Sequence, residues 1–239
     1  MPLARTVQSL ATGVGVSSVA TGSFTPPDNS LLVVVGAAVQ SSNGGLQGSS
    51  FGITDSVGLT WTSRVLSAAP TRWGVGLRVW TAPVTTGVSM TVTVNVGVLN
   101  ANRLYAQAIS YTGYDTTTPT GSTATGTNTG SGGAQTITLS AAPASTSEVL
   151  GIVSSVSSGT QSVTPGSGWT EILDVNNPNW ACFQMQRRDS SISDQVPWAD
   201  LDETGTVYEA MLAALEIRAA GGGGFQAAWA RGANQLIGA

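Results

Sequence analysis

Residues 88–96, VSMTVTVNV, alternate strictly. Val88, Met90, Val92, Val94 and Val96 fall on one side, and Ser89, Thr91, Thr93 and Asn95 on the other. A period of two is that of a half-buried antiparallel strand. Strand signals of the same kind occur at 31–39, 60–66, 73–81, 103–112, 135–139, 148–156, 169–174, 180–187 and 207–217. Turns rich in Gly, Pro, Ser or Asn separate most of them. Upstream of residue 220 no stretch joins helix caps to a long 3.6-residue period. The ambiguous segment is VYEAMLAALEIR, 207–218. Its residues favour helices, but Met211, Ala213, Leu215 and Ile217 alternate with Leu212, Ala214 and Glu216, which predicts a buried strand.

The pattern also repeats weakly. SLLVVVGAAVQSS at 30–42 parallels SEVLGIVSSVSS at 147–158. Each is followed by a Gly-x-x-Trp-Thr, GLTWT at 58–62 and GSGWT at 166–170, then by a long strand and a Tyr-bearing, alanine-rich strand. The match lies in order rather than identity, and its offset drifts. It predicts two halves related by an approximate two-fold, 1–114 and 135–218. Between them 115–134, largely Thr, Gly and Ser, reads as a surface crossover loop or linker. The expected fold is all-β, an antiparallel β-sandwich over 1–218, followed by a Gly hinge at 219–224 and a flexible C-terminal arm at 225–239.

Composition narrows the chemistry. Only 9% of the 239 residues are charged, and net charge is −4. All nine basic residues are Arg, with no Lys and no His. A Ser-His-Asp triad and a lysine Schiff base are therefore excluded. Cys182 is alone, so no intrachain disulfide can form. Arg187-Arg188 is the one adjacent basic pair, which argues against a phosphate-backbone partner. The longest apolar run, 31–39, is too short to span a bilayer as a helix. The first residues lack the charged and apolar regions of a signal peptide, so synthesis in the cytoplasm and no membrane partner are expected.

ITDSVGLTWT (53–62), LRVWTAPVTTGVSMTVTV (77–94), ISYTGYDTTTPTG (109–121) and PGSGWTEI (165–172) together resemble jelly-roll-like β-sandwich modules. Such modules occur in bacteriophage virion proteins and bacterial surface proteins. The resemblance spans about 27–218 and implies a capsid decoration, a fibre module or a glycan-contacting domain. It carries no catalytic motif.

Several residues are candidates for function. Asp194, Asp200, Asp202 and Glu203 crowd the segment 194–205, where turn oxygens can bind Ca²⁺; the plainer reading is a solvated acidic loop, and no metal or cofactor is assigned. Nothing singles out a glycosidase pair among 13 acids, so no enzyme is expected. Trp61 and Trp169 match between the halves and are expected in the core, each indole N–H held by a carbonyl. Trp180, Trp198 and Tyr114 are candidates to stack on sugar rings; their alternative is core or subunit packing. Arg72, Arg78, Arg187 and Arg188 lie on or beside long strands, and Arg187 and Arg188 are candidate subunit contacts. Cys182 reads as a small buried hydrophobe.

Beyond the hinge, Phe225, Trp229, Leu236 and Ile237 give the arm an apolar character that suits docking on a neighbour. The expected function is that of a virion structural protein, a head decoration or cement protein. Its partners would be copies of itself and other virion proteins such as the major capsid protein. A fibre or spike module that binds host glycan is the alternative.

Overall fold

The structure is a computed structural model. It describes residues 2–40, 51–68, 74–97, 101–128, 133–157, 162–177, 181–201 and 207–221. Every regular element among them is a strand. The first half holds β1 (Ala4–Val7), β2 (Ala11–Gly13), β3 (Ser18–Ala20), β4 (Ser30–Gln40), β5 (Gly52–Asp55), β6 (Thr62–Ala68), β7 (Gly74–Val84), β8 (Val92–Asn95) and β9 (Arg103–Thr112). The second holds β10 (Thr120–Asn128), β11 (Gln135–Thr138), β12 (Glu148–Ser157), β13 (Thr164–Pro165), β14 (Thr170–Asn177), β15 (Ala181–Arg188), β16 (Gln195–Asp200) and β17 (Val207–Ile217).

Each half is a large sheet with a small one. The first large sheet runs β1-β9-β4-β7-β6, with β2 also on β9, and the small sheet runs β3-β8-β5. The second half repeats this as β10-β17-β12-β15-β14 and β11-β16-β13. All pairings are antiparallel, so the expected all-β fold and its internal two-fold are present. Register fixes the equivalences: Leu31 lies opposite Tyr111 where Glu148 lies opposite Ile217, and Val33 opposite Thr81 where Leu150 lies opposite Arg187.

Three apolar layers hold the four sheets together. The two large sheets face each other through Leu31, Val33, Val35 and Val39 of β4, Leu150, Ile152 and Val156 of β12, and residues of β7, β9, β15 and β17. The opposite face of β4, with Leu32, Val34 and Ala38, packs under the first small sheet with Val92, Val94 and Trp80. In the second half Val149 and Val153 of β12 pack likewise under Val196 and Trp198. Strands covered on both faces need apolar residues at successive positions, which is why 31–39 reads as a continuous run. On and beside β8, Met90, Val92, Val94 and Val96 are buried as their alternation predicts, while Val88 is 45% exposed. The helix-prone segment at the end of the body is strand β17, as its alternation predicts.

Two expectations are corrected. Residues 120–128, read as loop, form β10 on the edge of β17. Thr favours the pleated backbone, and small residues fit close neighbours: a Cβ on Gly121 would lie 1.8 Å from Glu216 Oε2. The segment 194–205, read as a solvated acidic loop, contains β16, whose Val196 and Trp198 are buried. The short strands β1, β2, β3, β5 and β13 also escaped periodicity, because two to four residues carry too little alternation to read.

Gly36 sits where β4 passes under the small sheet. A Cβ there would lie 2.8 Å from Val94 Cγ1 and 3.0 Å from the Trp80 ring. Gly36→Ala is expected to lower the unfolding free energy by about 1–3 kcal/mol through overpacking. Urea denaturation measures this, and an unchanged midpoint would show that the layers give way freely.

Candidate functional site

The polar residues converge where the chain crosses between halves. Gly113, with φ of +72°, ends the first half. Tyr114 then bridges to Ala219, and Asp115 N–H donates to the Arg218 carbonyl at 2.8 Å. The Asp115 carboxylate accepts from the Thr117 and Thr118 amides and the Thr118 hydroxyl. These bonds, led by the Thr118 amide, hold its pKa below the usual value.

A cleft of ≈ 550 Å³ opens at this end, lined by Pro2, Leu3, Arg5, Glu148, Asp189 and Gly221 among others. A smaller one of ≈ 290 Å³ adjoins it, with Asp115, Glu216 and Arg218 in its wall. Ser147 and Ala219 line both.

Two buried carboxylates stand behind the clefts. Glu148 begins β12 and faces the layer between the large sheets. Its Oε1 accepts from Tyr111 Oη of β9 at 2.7 Å, and its Oε2 from Arg5 of β1 at 2.8 Å. Arg187 of β15 stands 3.7 Å from Oε2 and also pairs with Asp189. Burial pushes the Glu148 carboxyl above its usual value, although Tyr111, Arg5 and Arg187 pull the other way. Burial, then the adjacent Glu148, raises the Tyr111 phenol well above its own usual value. Glu216 of β17 faces the opposite layer. Its oxygens accept from the Ser122 and Ala144 amides and from Ser147 Oγ, at 2.8, 3.0 and 2.7 Å. Arg218 Nε lies 3.8 Å away. With donors on both oxygens, each carboxylate acts as a clasp between chain segments.

The sequence-derived candidates separate. Arg187 and Arg188 sit together at the end of β15, but both bond within the chain, Arg188 Nε donating to the Ser190 carbonyl at 3.0 Å. Trp198 is 1% exposed and donates its indole N–H to Gln184 Oε1 at 3.1 Å, so its ring is closed to a sugar. Tyr114 is 7% exposed and packs into the layer between the large sheets; it too offers no open ring face. Both are packing residues, since burying a large ring outweighs holding it in water. Trp180, Phe225, Trp229, Leu236 and Ile237, with Arg72, lie outside the described residues. Arg78 is held by Ser63 Oγ and the Phe51 carbonyl and lies 5.4 Å from the Trp80 ring centroid. Cys182 is buried, its sulfur 3.6 Å from Asn176 Oδ1. In the acidic segment Asp200 accepts from the Gly133 amide, while Asp202 and Glu203 lie outside the described residues. Among the described residues no three acids, Cys or His form a metal-binding group.

Trp61 and Trp169 pack against the layers under the small sheets, as expected, but their N–H partners differ from expectation. Trp61 Nε1 donates at 2.8 Å to the Asp55 carboxylate rather than to a carbonyl. The Val57, Gly58 and Leu59 amides donate to the same carboxylate, and Gly58 reaches it with φ of +83°. Burial opposes ionisation of Asp55, but the Trp61 indole and these amides outweigh it, and its pKa falls below the usual value. Trp169 Nε1 meets no acceptor among the described residues. The Glu148 and Glu216 clasps escaped sequence reading altogether. Their one signal was an acid inside an apolar strand.

No protein-family model, curated protein or solved structure matches this chain.

Glu148→Ala leaves Arg5 and the Tyr111 hydroxyl without their acceptor and is expected to cost about 3–5 kcal/mol, read by chemical denaturation at neutral pH. A loss below 1 kcal/mol, at the scale of an exposed ion pair, would contradict a buried clasp. Asp55 gives a pH signature. Its folded pKa is lowered, so its contribution is full above the usual carboxylate value and disappears as pH falls through the folded one. Asp55→Asn is therefore expected to melt below the parent at neutral pH, with the gap closing in strong acid. A gap independent of pH would refute the assignment.

Proposed function

We propose that this protein is a structural component of a bacteriophage virion, a decoration or cement protein that stabilises the head through contacts between subunits. The observation that carries the reading is the meeting of the first and last described residues at one end of a rigid double sandwich. Pro2 and Leu3 line the same cleft as Ala219 and Gly221. A body tethered at a single end suits a module mounted on a larger shell. Beyond Gly221 the chain continues through Gly222–Gly224 into the apolar segment 225–239. In this reading that segment docks on a neighbour or adds a strand to it. The partners are copies of this chain and the major capsid protein.

The surface agrees with such a role. With 9% charged residues, contacts rest on hydroxyls, backbone edges and apolar side chains rather than on ion pairs. Val7 on β1 and Leu66 on β6 are 41% and 44% exposed, at the two free edges of the first large sheet. The low charge and strand edges favour lateral packing into an ordered array. The glycan-binding fibre reading keeps only Trp180 of its three aromatic candidates and ranks second.

The reading is tested on phage particles recovered from the producing culture. Peptides of this chain are expected in the purified particles at a fixed ratio to the major capsid protein, and their absence would overturn it. Phe225→Ala/Trp229→Ala, beyond the described residues, is expected to reduce binding to stripped particles at least tenfold. Unchanged binding would remove the arm from the mechanism.

A further inference from the structure

The layer between the two large sheets brings together sheets of equivalent strand order, one from each half. Most equivalent positions are apolar in both halves: Val33 and Leu150, Val35 and Ile152, Val39 and Val156, Leu77 and Phe183, Val79 and Met185. Such pairs cannot tell a first half from a second. Some positions differ: Gln107 stands where the second half has Ala213, Tyr105 where it has Met211, and Ser154 where the first half has Ala37. One set differs by a buried charge. By register Glu148 is the counterpart of Leu31, and Ile217 the counterpart of Tyr111. On one side of the pseudo-axis Tyr111 donates to Glu148 at 2.7 Å, joined by Arg5 at 2.8 Å. The other side has Leu31 and Ile217, 1% and 0% exposed in the same apolar layer.

We propose that the Tyr111–Glu148–Arg5 set is a pairing-specificity device: it lets a first half close on a second half and rejects a like half from another copy. Two second halves together would bring Glu148 against Ile217 and bury a carboxylate without Tyr111 or Arg5. Arg187 would travel with it, but at 3.7 Å and already engaged by Asp189 it compensates only in part. Two first halves would set Tyr111 against Leu31 and leave its hydroxyl without an acceptor. Each mismatch strands a buried polar group, so discrimination of roughly a hundredfold or more is expected. The proposal holds whether or not the protein is a virion component.

The test uses the full chain with a protease site introduced at Thr116–Thr118, in the exposed crossover. The folded protein is cut, unfolded and refolded, and the pairs are weighed by native mass spectrometry; the halves differ in mass. The parent is expected to re-form mixed pairs almost exclusively. Glu148→Leu/Tyr111→Ile, which removes the carboxylate and the hydroxyl of this set, is expected to give like pairs beside mixed ones. Like pairs from the parent as often as from the variant, or strictly mixed pairs from the variant, would overturn the proposal. Where cut halves fail to rejoin, uncut chains are refolded over a concentration series instead. A dimer from the variant alone supports the proposal; a dimer from both, or from neither, overturns it.

Discussion

Both large sheets are covered on both faces, and the rest of the structure depends on that. An antiparallel sheet commonly keeps one face in water and alternates accordingly. Here each large sheet packs outward against a small sheet and inward against its counterpart. The central strands β4, β12 and β17 must therefore be apolar on successive residues. Polar side chains on the central strands, such as Gln107, Ser154, Gln184 and Glu216, are buried with them. The low charge of the chain follows in part from this geometry, because four stacked layers consume apolar residues quickly.

Under this constraint a polar side chain in the interior must bring its partners with it. Glu148 and Glu216 do so at one end of the molecule, where they join segments distant in sequence. Glu148 gathers strands of both halves, and Glu216 gathers the crossover, β10 and the turn before β12. Asp55 does the same locally, closing a turn through three amides and one indole. These carboxylates differ in their response to protons because their surroundings differ. Asp55 has donors that outweigh a modest desolvation, whereas the burial of Glu148 outweighs its donors.

Much of the fold was legible along the chain. The alternation at 88–96 and the double-faced run at 31–39 depend on local geometry, so they read correctly. The repeat was visible through the order of its elements, although few residues are identical. Segments of low apolar content misled. The Thr-rich stretch at 120–128 has no buried stripe of its own; it becomes a strand because β17 offers an unpaired edge. The acidic segment around Trp198 hid a strand behind its charges. The candidate site was less legible. Trp198 and Tyr114 carry the composition of a sugar platform, yet burial decides their role, and burial is not a local property.

The sequence by itself determined the all-β class, the two-half organisation and the chemistry excluded by the missing Lys and His. Those properties follow from residue type and from a period set by the backbone of each strand. Only the tertiary structure decided which faces meet, that Glu148 finds Tyr111 and Arg5, and that the first and last described residues share a cleft. Apolar side chains are nearly interchangeable as partners across a layer, so their pattern says that a face is buried without saying against what. A buried acid needs particular donors at hydrogen-bond distance, and only the folded chain brings residues so far apart in sequence together.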